Sequence, residues 1–105
     1  IRPVLDEAID SAVAKGFTLT PGITLDTLWD RCCPIGALFM QLGLRVDGFI
    51  ADSATSHLGG DHNFWEGLII GFDNREPRPD DDPEYCDGFM LGREYRLSSK
   101  CKDHT

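Results

Sequence analysis

Apolar residues at Val4, Leu5, Ala8, Ile9, Ala12 and Val13 recur at helical spacing, with Asp6, Glu7 and Asp10 between them. Pro3 suits a first helical turn, Lys15 a last one, and Gly16 the position just beyond. The pattern predicts an amphipathic first helix and not a signal peptide. The chain opens on Ile1, so a tag or short leader is expected ahead of it. Next, Phe17-Thr18-Leu19-Thr20 and Ile23-Thr24-Leu25 flank Pro21-Gly22. Alternating apolar and β-branched residues around a Pro-Gly turn predict two short paired extended segments, with an irregular loop as the alternative.

Cys33-Pro34 then opens a helix through Leu42, closed by Gly43. Its Ile35, Ala37, Leu38, Phe39, Met40 and Leu42 are apolar nearly all round, which predicts a central position. A weaker helix is expected over Val46 to about His57, where Gly48 and the Ser/Thr content count against it. Gly59-Gly60 interrupts the chain, and Asp61 is placed to cap a helix through Phe72. The polar stretch from Asp73 to Asp82 holds Pro77 and Pro79 and reads as a loop. Asp82-Pro83 starts a last helix expected to reach about Cys101. The expected fold is therefore mostly α: a single domain over 1–105, a compact bundle of four or five helices, and a small two-stranded hairpin near residues 17–25.

One regularity repeats at an offset of 21. Residues 64–73 read Phe-Trp-Glu-Gly-Leu-Ile-Ile-Gly-Phe-Asp, and residues 85–94 read Tyr-Cys-Asp-Gly-Phe-Met-Leu-Gly-Arg-Glu. Each copy puts glycines four apart, Gly67 with Gly71 and Gly88 with Gly92, on one helical face. A glycine inside a helix costs about 1 kcal/mol against alanine, so four of them call for a compensating gain. Close backbone approach between two crossing helices supplies it, with an antiparallel pair as the expected arrangement. A ligand lying flat on the glycines is the weaker reading, since no phosphate-binding loop accompanies them.

Charge changes the picture more than length does. The 105 residues are 41% hydrophobic, enough for one packed interior, and carry a net charge of −8. That field repels phosphate backbones, which argues against direct nucleic-acid or anionic-membrane binding. No apolar run approaches the ~20 residues of a membrane span. Much of the charge is local: residues 73–87 hold seven acids against Arg75 and Arg78, a net of −5. The four cysteines do not suggest a disulfide framework. Cys32 and Cys33 are adjacent, and Cys86 and Cys101 would lie about 22 Å apart on one helix. Reduced thiols and a cytoplasmic location are the expectation.

Candidate chemistry is thin. Cys33 at a helix N-terminus could have a lowered thiol pKa, and His57 or His62 could serve as its base. No spacing fixes such a site, and a buried structural thiol is the commoner case. The segment Asp73 to Glu84 has the length of a calcium loop, but Arg75, Pro77 and Arg78 occupy interior positions that should hold ligands or the turn glycine. No Cys-x-x-Cys or His-x-x-x-His pair supports zinc, so no metal and no cofactor is expected. Trp65 reads as core; Trp29 is the better candidate for partial exposure, although core packing is the commoner role. The leading expectation is a non-enzymatic binding or regulatory protein, such as an inhibitor occupying the basic groove of a nucleic-acid-binding protein. Asp73, Glu76, Asp80, Asp81, Asp82 and Glu84 would act jointly, with Trp29 beside them. The alternatives are a small cysteine enzyme or redox protein using Cys33, and a structural subunit that homodimerises through its last helix.

Overall fold

The structure, a computed structural model, describes residues 1–46, 48–73, 75, 82–99 and 101. Helix α1 (Arg2–Ala14) buries Leu5, Ala8, Ile9 and Ala12, a stripe at helical spacing. Val4 and Val13, expected on that stripe, stand exposed at its edges. Gly16, at φ 94°, takes the left-handed turn that ends the helix. Helix α2 (Pro34–Leu42) is the centre of the molecule, with Pro34 through Phe39 buried without a break. Its limits are those expected from sequence: Cys33 Sγ accepts the Gly36 N–H at 3.3 Å, and Gly43 closes the helix in the left-handed region.

Between these helices lie three two-residue strands, β1 (Thr18–Leu19), β2 (Leu25–Asp26) and β3 (Arg31–Cys32), in the order β1-β3-β2. The expected hairpin across Pro21-Gly22 is corrected. The two extended segments do not pair with each other: β1 pairs with β3 in parallel and β2 pairs with it antiparallel. The hairpin is instead β2–β3, with Asp26 opposite Arg31 and Asp30 at φ 53° closing the turn. The first turn of α2 rests on the strand backbone. A Cβ on Gly36 would lie 1.8 Å from the Thr24 carbonyl oxygen, and that same oxygen accepts the Cys33 N–H at 3.0 Å.

Helices α3 (Ile50–Leu58), α4 (His62–Phe72) and α5 (Pro83–Arg96) complete the fold. Helix α3 starts later than expected because Gly48 sits at φ 72°, outside helical space. Helix α5 stops at Arg96, short of Cys101, which is fully buried and bridges to Leu19 at the sheet edge. Cys86 and Cys101 therefore do not share a helix, and none of the four cysteines is joined in a disulfide. The radius of gyration is 12.5 Å, close to the ~13 Å of a compact chain of this length. No helix among the described residues is long and apolar enough to cross a membrane.

Helices α4 and α5 meet through the four glycines. An added Cβ would lie 2.2 Å from Tyr85 O at Gly67, 2.2 Å from Phe89 O at Gly71, 2.0 Å from Phe64 O at Gly88 and 2.2 Å from Leu68 O at Gly92. Each glycine thus receives the carbonyl of the residue three before its counterpart in the other copy of the motif. That reciprocity requires a parallel pair in which residue i lies beside i+21, so the antiparallel expectation is corrected. In an antiparallel pair Gly67 would face Gly92 instead. The two helix starts confirm the direction, since Asn63 Nδ2 donates to Asp82 Oδ2 at 2.6 Å. Backbone contacts this close bring Cα–H groups onto carbonyl oxygens, a weak attraction that only glycine permits at such a distance. Phe64, Leu68, Phe72 and Tyr85 fill the flanks of the contact.

Candidate functional site

The acidic segment is anchored at both ends of the helix pair. Asp73, just past α4, accepts the Gly22 N–H at 2.8 Å and lies 3.4 Å from Arg75. Asp82 caps α5 by accepting the Glu84 N–H at 2.9 Å, as Asp61 caps α4 by accepting the Asn63 N–H at 2.8 Å. Because the helices are parallel, Asp73 and Asp82 sit at opposite ends of the pair, roughly 16 Å apart for an eleven-residue helix. Glu84 is exposed in the first turn of α5. Glu76, Asp80 and Asp81 lie outside the described residues. Among the described acids, then, Asp73 is occupied with the strand region, while Asp82 and Glu84 form a separate group at the helix starts.

Trp29 is 70% exposed and Leu28 81% exposed, so core packing is not the role of Trp29. Both stand at the tip of the β2–β3 hairpin. Asp26 holds that tip from within: its carboxylate accepts the Leu28 N–H at 3.0 Å, the Trp29 N–H at 3.3 Å and the Arg31 guanidinium at 2.8 Å. The Arg31 hydrogen bond, helped by the two backbone donors, keeps the Asp26 carboxyl below its ordinary range. Trp65, by contrast, is in the core and donates its indole N–H to Gly59 O at 2.9 Å.

The surroundings of Cys33 favour the protonated thiol over the thiolate. Burial pushes the Cys33 thiol up to about 11, even though the Gly36 and Ile35 N–H groups act to lower it. Burial likewise pushes Cys32 up to about 12. The cavity beside Cys33 is about 50 Å³, room for water only, and neither His57 nor His62 lines it. His57 instead meets the Phe39 ring edge-on, with centroids 6.0 Å apart.

His62 belongs to a different feature, a groove of about 550 Å³ between α3 and α4. Its Nε2 lies 2.8 Å from Asp52 Oδ1 on α3, and its Nδ1 lies 3.7 Å from Glu66 Oε2 one turn along α4. Ile50, Ile69 and Ile70 give the groove apolar walls, and Phe49 stands at its edge, 82% exposed. Sequence reasoning picked out His62 and missed Phe49, Asp52 and Glu66. The four-residue spacing of His62 and Glu66 was the available signal; nothing local tied either to Asp52. Comparison with known proteins found no matching family model, no matching curated protein and no matching solved structure.

Proposed function

We propose that this chain is a non-enzymatic binding protein that engages a basic surface of a partner protein, in its concrete form an inhibitor or regulator seated on the basic groove of a nucleic-acid-binding protein. The exposed Leu28–Trp29 tip carries the reading. Tryptophan contributes disproportionately at interfaces, and this one is presented on a turn whose backbone is already held by Asp26. Asp30 beside it and the net charge of −8 favour a basic counterpart. A partner pocket with an apolar floor and a Lys/Arg rim fits this tip.

Quantitative capture from cell extract tests the proposal. Three baits are compared at low and high salt: the unmodified chain, Trp29→Ala, and a chain with Asp80, Asp81 and Glu84 changed to Lys. Basic proteins held by the unmodified chain should be lost on charge reversal and at high salt, and weakened at least tenfold by Trp29→Ala. Identical captured sets from all three baits would overturn the reading. A second reading rests on Met90 in α5 and Leu97 at its C-cap, 66% and 72% exposed. It is self-association through that face, which light scattering on the same preparations decides.

A further inference from the structure

We infer that the α3–α4 groove is a docking site for a short peptide segment of a partner protein, one carrying an apolar side chain next to a lysine or arginine. The inference rests on the reading of this chain as a binder of basic partners and names a place and a chemistry for that contact. At about 550 Å³ the groove falls within the ~300–1,000 Å³ of binding clefts. The 50 Å³ cavity beside Cys33 is far below that range.

Two features define the occupant. The first is charge. His62 ties α3 to α4 and gathers Asp52 and Glu66 on its two sides, so two carboxylates face the same opening. Arg75 is the only cation lining the groove among the described residues, and it lies 3.4 Å from Asp73. With Arg75 drawn towards Asp73, the two carboxylates make the opening favour a cation. A lysine or arginine entering here meets Asp52 and Glu66 together, over walls that exclude part of the water and strengthen the attraction.

The second feature is Phe49. It is the N-cap residue of α3 and its ring stands in solvent at the edge of the groove. A small amine seated between Ile50, Ile69 and Ile70 would leave that ring uncovered, whereas a chain crossing the start of α3 would cover it. An amphipathic segment supplies both parts: an apolar side chain against the isoleucines and Phe49, and a cation to the carboxylates.

The test is fluorescence anisotropy with a labelled leucine–lysine peptide, leucines at helical spacing, against the whole chain. Leucine–glutamate and serine–lysine peptides are the controls. The leucine–lysine peptide should bind at least tenfold more tightly than either control. Asp52→Asn combined with Glu66→Gln should weaken it about tenfold, and Phe49→Ala by a similar factor. Val4→Ala, on the exposed edge of α1 and outside the groove, should leave it unchanged. Thermal melting verifies that each variant is folded, and Phe49→Ala removes an exposed ring, so it keeps the test valid if the double variant melts early. Equal affinity for the serine–lysine peptide, competition by n-butylamine, or full affinity in both groove variants would overturn the proposal. Full affinity in the groove variants with loss on reversing Asp80, Asp81 and Glu84 sinks the groove and leaves the broader reading standing. Full affinity in every variant sinks the groove, while the capture experiment judges the broader reading separately.

Discussion

At the scale of single residues, the glycines of the helix pair and the buried thiols make the firmest predictions. Gly88→Ala places a methyl 2.0 Å from the Phe64 carbonyl oxygen, where backbone on both sides prevents an easy shift. The gain in helix propensity, about 1 kcal/mol, is outweighed by overpacking of up to ~3 kcal/mol, or more where the backbone must move. A net loss of about 2 kcal/mol is expected in urea unfolding, and Gly67→Ala should lose a similar amount because its surroundings mirror those of Gly88. Thiol titration should find Cys86 reacting in the native protein at pH 8, with Cys32, Cys33 and Cys101 reacting only after unfolding. Rapid reaction of Cys33 below pH 8 would revive the cysteine-enzyme alternative. The same burial has a pH consequence. Below the ordinary thiol value of 9.0 both folded and unfolded chains keep the Cys33 proton, and stability is independent of this group. Above it the unfolded chain releases a proton that the fold retains, so stability falls by up to about 1.4 kcal/mol per pH unit until about 11.

At the scale of elements, the helix starts carry measurable weight. Asp61 and Asp82 stand side by side at the positive ends of two parallel helices, where like dipole ends would otherwise repel. Asp61→Ala should cost about 1 kcal/mol, as cap removal ordinarily does. Asp82→Ala should cost more, about 2 kcal/mol, because Asp82 also accepts from Asn63 on the neighbouring helix. Thermal or urea unfolding of the two variants checks the order. These caps were legible in the sequence, as were Cys33-Pro34 and Gly43, since capping is a property of a few adjacent residues. The β2–β3 hairpin was not, because Asp26-Thr27-Leu28-Trp29-Asp30 lacks the Asn-Gly or Gly that usually marks a tight turn. Asp30 enters the left-handed region without one. Nor was the direction of the α4–α5 pair, since glycines four apart fit a parallel or an antiparallel neighbour equally well. The groove was hidden for a related reason: Phe49 and Asp52 belong to one helix and His62 and Glu66 to another.

At the scale of the molecule, the charge of −8 is a cost in the absence of a partner. Screening should relieve it, so the melting temperature is expected to rise as sodium chloride is added from low ionic strength to about 0.5 M. A melting temperature that falls over this range would mean that attractive pairs, such as Arg2–Glu94 between α1 and α5 and Asp26–Arg31 in the hairpin, outweigh the repulsion.

The mirrored contact between α4 and α5 has a consequence for chains that fold in company. Each helix offers the other the same face, so the α5 of a neighbouring copy would fit α4 as well as its own does. Ten residues join the two helices, a reach of up to ~33 Å when extended. Refolding at high concentration should therefore produce some interlocked dimers by exchange of α5, while refolding in dilute solution should give separate chains.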